Sequence, residues 1–388
     1  MSTHWHILTG EYPPQPGGVS DYTRLVASGL AEAGDLVDIW APPCDGESPN
    51  DPGVTVHRLP DHFGFRSWRA LDQQFAAPAA SRRLLVQYVP HAFGWKALNV
   101  PFCLWLRSHR RDQVWVMFHE VAFPIASSQS LPRNALGVVT RSMAALVAGA
   151  AERSFVSIPA WAPVVESLSA RPTPITWLPV PSSIPIVDDR AASAAIRARY
   201  APARPLVGHF GTCGDLIRPL LDESLPTLVA ACDCAVVLFG RGSDVLARDL
   251  TARHPTLDGR LHGLGALPEA DVSRHLAACD LMLQPYPDGV SSRRTSVMAP
   301  LAHGRPVLTT SGPLTETLWA ERGAVVLVPA GDGPALATAA VRLLGDPVRL
   351  ARLGADARAL YDTRFGLAST IAALRSADDE PMSLLAVS

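Results

Sequence analysis

The densest chemistry in the chain is Ser291-Ser292-Arg293-Arg294-Thr295, which follows an apolar run over 281–284 and a turn and opens a helical segment over 296–303. Two guanidiniums and several hydroxyls at a helix N-terminus, in a chain of balanced charge, make an anion site rather than a solvated face. A second place of this kind is Val207-Gly208-His209-Phe210-Gly211-Thr212-Cys213-Gly214, a strand entering a glycine-spaced turn, with Arg218 at the mouth of the next helix. Backbone N–H groups at close approach, here at Gly211 and Thr212, together with a bidentate guanidinium suit a diphosphate. Near the amino terminus the loop over 10–22 ends in Gly17-Gly18-Val19 where a helix over 20–33 begins. It offers the unpaired N–H groups of a helix start to an anion. The pattern fits a phosphate contact and equally an ordinary loop with left-handed glycines. No Gly-x-Gly-x-x-Gly fingerprint is present, which argues against a dinucleotide-dependent dehydrogenase.

His119-Glu120 stands at the end of a strand over 114–118, where α/β sheets present reactive groups. His119 can act on a proton or bond a ligand oxygen, or serve as a buried structural histidine. A zinc-protease pattern fails because Phe123 occupies the place of the second histidine. There is no Asp-x-Asp pair, so no metal site is expected. The six cysteines are scattered, with no zinc or redox spacing, which suits a reduced, cytoplasmic protein. Lys96 is the one lysine among 34 Lys+Arg, and its Gly-Trp-Lys-Ala context fits no Walker loop, kinase strand or Schiff base. Cationic sites must therefore be built from arginine.

Around these groups, short apolar runs alternate with helical spacings. Strands are expected over 6–9, 37–40, 54–59, 84–88, 114–118 and 155–157, then over 206–210, 235–239, 281–284, 307–310 and 325–328. Helices are expected over 20–33, 220–231, 244–253, 269–278, 296–303 and 333–344, the first closed by Gly34. Nine prolines between 159 and 205 read as a linker. The 388 residues, 48% of them hydrophobic, then form two doubly wound α/β domains facing a central cleft. The net charge of -2 and the absence of a basic face exclude a dedicated nucleic-acid binder. No apolar run reaches the roughly 18 residues of a membrane span. The stretch over 93–111, with Phe93, Trp95, Phe102 and Trp105 followed by Arg107, Arg110 and Arg111, reads as a helix packed on a sheet, with peripheral membrane contact as the alternative.

At these positions the chain resembles glycosyltransferase family 4, the retaining nucleotide-sugar transferases of the GT-B fold. The resemblance rests on Gly17-Gly18-Val19 with Tyr22, Phe118-His119-Glu120, Gly240-Arg241-Gly242, His262-Gly263-x-Gly265-x-Leu267-Pro268, the run over 278–285, and Ala302-His303-Gly304-Arg305-Pro306-Val307, in order from about residue 6 to about 375. It implies two Rossmann-like domains, over 1–185 for the acceptor and 186–362 for the donor, a helix over 363–375 crossing back onto the first, and a flexible tail over 376–388. The acceptor loops fall near 61–74 and 91–99.

By the same resemblance Gly17, Gly18 and Val19 line the donor diphosphate, with Gly211, Thr212, Ser291, Ser292, Arg293 and Thr295 opposite. His119, Glu120 and Ser291 meet the donor sugar. Gly240, Arg241, Gly242, Leu267 and Pro268 hold the nucleoside. Many members carry Glu, seven residues, then Glu; here Ser291 and Ala299 stand at those places, so the chain is a divergent member and its ribose recognition differs. The implied activity is transfer of a hexosyl-type sugar from a UDP- or GDP-linked donor to an acceptor hydroxyl, in synthesis of a glycan, glycolipid or natural-product glycoside. His119, Arg218 and Arg294 are the implied catalytic group, assisted by backbone N–H groups at Gly18 and Ser292, with no metal and no cofactor beyond the donor. A nucleotide-sugar epimerase of the same fold and a non-catalytic nucleotide-sugar-binding protein are the alternatives.

Overall fold

The computed structural model describes residues 2–76, 82–109 and 112–376. They form two compact units, one running to Pro179 and rejoined by the chain from Leu367, the other Val180–Gly366.

The first unit is built on seven strands: β1 (His4–Thr9), β2 (Leu36–Ala41), β3 (Val54–Arg58), β4 (Arg82–Tyr88), β5 (Gln113–Phe118), β6 (Arg153–Val156) and β7 (Ile175–Trp177). Their order is β3-β2-β1-β4-β5-β6-β7, and all neighbours are parallel. Central strands covered on both faces must be apolar throughout, which is why β4 and β5 read as continuous runs. On one face Leu8, Leu84, Val86, Val114 and Val116 pack with Phe102, Met143 and Val147. Trp5, Ile7, Leu85 and Trp115, on the alternate positions, are also fully buried. The helix Gly18–Glu32 ends at Gly34, whose φ of +91° is the left-handed stop its sequence position suggests. Gly29 of this helix lies against Ile371 of the helix Leu367–Ser376, so closely that a Cβ would sit 2.9 Å from the Ile371 side chain.

The second unit has β8 (Leu206–Phe210), β9 (Ala235–Phe239), β10 (Leu261–Gly263), β11 (Leu281–Gln284), β12 (Val307–Ser311) and β13 (Val326–Pro329), in the parallel order β10-β9-β8-β11-β12-β13. Val207, Val236, Leu238, Leu281, Leu283 and Leu308 meet the apolar stripes of the helices Arg218–Ala231 and Gly333–Leu344. In each unit the strand order reverses once, between β1 and β4 and between β8 and β11. At such a point adjacent connections leave in opposite directions and open a crevice at the carboxyl ends.

The expected linker over 159–205 is instead largely ordered structure. It holds the helices Ala162–Leu168 and Arg190–Tyr200 and all of β7. Its prolines do not break these elements, because Pro159 and Pro163 sit in first turns, where no N–H is needed. The expected acceptor loop over 61–74 is mostly the helix Phe65–Phe75. Within 93–111 the helix is Val100–Ser108, preceded by the left-handed residues Trp95, Lys96 and Ala97. Arg110, Arg111 and the tail beyond residue 376 lie outside the described residues.

Candidate functional site

The loops leaving β8, β9 and β10 are fastened to one another at the carboxyl edge of the second sheet. Gly211 N–H donates to Phe239 O at 3.1 Å, Cys213 N–H to Arg241 O at 2.9 Å, and Gly240 N–H to Gly265 O at 2.8 Å. Gly240, with φ of +123°, packs so tightly that a Cβ would lie 2.1 Å from Gly211 O. Gly211, Thr212 and Gly240-Arg241-Gly242 therefore form one connected rim. Leu267 and Pro268 continue it after β10, with Pro268 capping the helix Glu269–Ala278.

Across the strand-order reversal, the loop after β11 brings Ser291, Ser292, Arg293 and Arg294 to the start of the helix Thr295–Ala302. One carboxylate serves both guanidiniums, so the three groups together keep a net positive charge. Asp288 accepts from Arg293 at 2.7 Å and also from Arg294. The Arg294 guanidinium lies 4.9 Å from the centroid of the Tyr286 ring, and Tyr286 in turn bonds Ser296 Oγ at 2.8 Å. Ser292 donates both its N–H, at 2.8 Å, and its hydroxyl, at 2.5 Å, to Glu316 Oε1, while Trp319 Nε1 donates to Glu316 Oε2 at 2.6 Å. Burial pushes the Glu316 carboxyl up, against these hydrogen bonds.

Buried polar atoms here with no hydrogen-bond partner among the described residues include His209 Nε2, Gln284 Oε1, Ser291 Oγ and Arg294 Nε. The Nδ1 of His209 donates to Leu283 O at 2.8 Å, so Nε2 carries the bare lone pair. Buried polar atoms are nearly always paired. Such orphans gathered at a strand-order reversal mark a place for water or a ligand.

Arg218 starts its helix as expected, but its guanidinium is bonded to Asp249 on the helix Ser243–Arg253. The backbone N–H of Ser292, read from sequence as a donor for a ligand phosphate, is held by Glu316 instead. The carboxylate that takes it lies 24 residues away in sequence, beyond the reach of a local motif.

In the first unit, the start of the helix Gly18–Glu32 is occupied from within. Glu11 Oε1 accepts from the N–H groups of both Val19 and Ser20, each at 3.0 Å. Gly17 makes room for that carboxylate, since a Cβ would lie 2.2 Å from Glu11 Oε1, whereas one on Gly18 would meet nothing within 4 Å. His119 directly follows β5 and is buried, with Nε2 2.8 Å from Gln87 Oε1 and Tyr22 edge-on at 4.8 Å. Burial lowers its pKa to about 3, so it is a neutral hydrogen-bonding group at physiological pH. Its carbonyl accepts from Ser157 Oγ at 3.0 Å, and Glu120 follows in a half-buried position.

Sequence reading did not single out Glu11, Gln87, Gln284, Asp288 or Glu316. Glu11 lies in the loop over 10–22 and Asp288 in the turn before Ser291, and a carboxylate next to an expected anion site was the available signal.

Residues 205–346, which span β8 to β13 and the helix after them, match the family model described as glycosyl transferases group 1. No curated protein matches the chain by sequence. Among solved structures, sucrose-phosphate synthase from Thermosynechococcus elongatus aligns over 97% of this chain and 98% of its own, with TM-score 0.74 and 17% identity. Anabaena HepE in complex with UDP and glucose aligns over 97% and 99%, with TM-score 0.67 and 14% identity. WaaG, a glycosyltransferase involved in lipopolysaccharide biosynthesis, aligns over 98% and 100%, with TM-score 0.66 and 16% identity. The chain has the GT-B fold. In this GT-B protein no helix among the described residues is long and apolar enough to cross a membrane.

Proposed function

We propose that the protein is a retaining glycosyltransferase moving a hexosyl-type sugar from a UDP- or GDP-linked donor to an acceptor hydroxyl. The supporting observation is the group 1 match over 205–346, laid on the sheet whose strand-order reversal holds Arg293, Arg294 and several unpartnered buried polar atoms. The neighbour bound to UDP and glucose supports a nucleotide-sugar donor.

In the proposed reaction the bond from the anomeric carbon to the diphosphate oxygen breaks, and the acceptor oxygen bonds that carbon on the same face. Its proton leaves with the nucleoside diphosphate. Negative charge grows on the leaving phosphate, so fixed positive donors there lower the barrier. Arg294, aligned by Asp288 and Tyr286, is the principal donor in this reading. Arg293, Thr295, Ser291 and the Gly211-Thr212 backbone are its neighbours, and Arg218 takes part only if it leaves Asp249. The rim at Gly240, Arg241, Gly242, Leu267 and Pro268 is assigned to the nucleoside. His119 and Glu120 are assigned to the sugar, with His119 as a neutral hydrogen-bonding partner rather than an acid. Gly17, Gly18 and Val19 are the remaining diphosphate candidates, and of these Val19 N–H is shared with Glu11. The charge is carried by arginine, so added Mg²⁺ or Mn²⁺ should not accelerate turnover. The six free thiols support a reducing, cytoplasmic setting.

The acceptor falls to the first unit, where Phe65, Trp95 and Leu98 are exposed and Trp68 bridges Phe65 and Trp95. Such a surface suits an acceptor with an apolar part.

Thermal-shift titration with UDP, GDP, ADP and dTDP tests the nucleotide, and NMR of the product anomer tests retention. Stabilisation by UDP or GDP and a retained anomer are expected. Stabilisation by neither, or an inverted product, overturns the reading. Conversion of the donor without acceptor would instead make it an epimerase, and tight binding without transfer or hydrolysis a binding protein.

A further inference from the structure

Three histidines converge on one aspartate at the edge of the first sheet. His4 and His6 are two residues apart on β1 and share a face. Asp38 on β2 is the register partner of His6, and His57 on β3 is the register partner of Trp40, two residues beyond Asp38. All four side chains thus lie on one side of β1, β2 and β3. His4 Nε2 is 2.5 Å from Asp38 Oδ2, His57 Nε2 is 2.7 Å from Asp38 Oδ1, and His6 Nδ1 is 3.7 Å from Asp38 Oδ2.

The His6 contact is the informative one. Trp40 Nε1–H donates to His6 Nδ1 at 3.2 Å, so that nitrogen is unprotonated. Its lone pair accepts that indole N–H, and Asp38 Oδ2 lies 3.7 Å away with no proton of His6 Nδ1 between the two atoms. A zinc ion, with bonds of about 2.0–2.1 Å to nitrogen and about 2.0–2.2 Å to oxygen, spans such a separation. One ligand atom from each of His4, His6 and Asp38 already lies within 4.8 Å of the others, the only such trio among the described residues. Arg82 on β4, a cation near His6, is paired with Asp112 at 2.7 Å.

We propose that His4 Nε2, His6 Nδ1 and Asp38 Oδ2 bind one divalent transition-metal ion of the zinc class, His6 Nδ1 exchanging the Trp40 N–H for the ion and His57 holding the Asp38 carboxylate through its other oxygen. Imidazole and carboxylate are the ligand types this class selects. His4 and His57 are each 37% exposed at the side chain, which leaves an entry path and freedom for His4 to swing back from its short contact with Asp38. Water completes the coordination. The ion fastens the first strand of the chain to β2 and lies outside the machinery assigned to sugar transfer, so the site stands or falls independently of that assignment.

The test is calorimetric titration of metal-stripped, tag-free protein with Zn²⁺, repeated with Co²⁺ to read coordination by visible absorption. One ion per chain is expected, with a raised Tm and a cobalt spectrum typical of nitrogen and oxygen ligation. His4→Gln, at a half-exposed position that should not disturb folding, and Asp38→Asn should each abolish saturable binding. His57→Gln should weaken it by about ten- to a hundredfold. Circular dichroism checks that the variants are folded. Absence of saturable Zn²⁺ binding in the parent protein, or equal binding in folded His4→Gln, overturns the proposal.

Discussion

The Glu11 carboxylate holds the Val19 backbone N–H at 3.0 Å, occupying the helix start that the sequence presents as an anion site. A negative group there is favoured by the helix dipole and by unpaired N–H groups, whether it is a phosphate or a side chain. The two readings separate in a Glu11→Gln variant. Loss of the charged cap should lower stability by about 1 kcal/mol. If a donor diphosphate uses the same N–H groups, removing its internal competitor should tighten UDP binding at the same time. Urea unfolding and UDP titration on one preparation check both, and opposite movements of stability and affinity are the expected signature.

Asp288 and its two arginines carry the second prediction. Arg294→Ala should lower single-turnover transfer by about 10²–10³. Normal turnover would remove Arg294 from the proposed machinery. Asp288→Asn leaves two partly buried guanidiniums facing each other, which should cost about 2 kcal/mol, since the cluster is not fully shielded from water. A bound diphosphate can replace the lost carboxylate, so UDP should raise the Tm of Asp288→Asn by more than that of the parent protein.

Much of the architecture was legible because parallel α/β folds write it in short apolar runs. β1, β5, β8, β9 and β11 are buried on both faces, and their runs carry that requirement openly. β7 and β10, three residues each, are too short to show a period. The linker reading failed because proline was counted without its position. The same residue that breaks a helix interior is neutral in a first turn, and Pro159 and Pro163 stand there. The candidate site was half visible. Donors such as Arg293 and Arg294 lie in one stretch, whereas Glu316 and Asp249 reach Ser292 and Arg218 only through the fold, from 24 and 31 residues away.

Stability should fall in mild acid through buried histidines, His119 and His209 among them. Burial lowers His119 to about 3, and burial lowers His209 to about 4 against the hydrogen bond to the Leu283 carbonyl. In the unfolded chain both titrate near 6.5. Between 6.5 and about 4 the unfolded state binds two protons that the folded state refuses, so unfolding free energy rises with pH across that window. The contribution is fully present above 6.5 and is lost as pH falls towards 4. Each histidine adds a slope of about 1.4 kcal/mol per pH unit. Urea unfolding between pH 7 and 5 should show it, and His119→Gln, which can still bond Gln87, should remove that residue's share of the slope, about 1.4 kcal/mol per pH unit. An unchanged slope in that variant would mean that His119 is not held neutral.

Gly240 and Gly18 make opposite predictions from the same chemical change. An alanine at Gly240 would need φ of +123° and a Cβ 2.1 Å from Gly211 O, so the rim joining the loops after β8 and β9 must open. Gly240→Ala should lose about 3 kcal/mol or more, in the range of strained backbone combined with overpacking. At Gly18 a Cβ meets nothing within 4 Å, so Gly18→Ala should leave the Tm within a degree or two of the parent value. The space beside Gly18 is then open to something outside the chain. If that is the donor diphosphate, the added methyl blocks its approach to the backbone, and Gly18→Ala should raise the KM for the nucleotide sugar by about tenfold or more while the protein remains folded. Donor saturation curves on the folded variant decide the point, and an unchanged KM would remove Gly18 from the donor site.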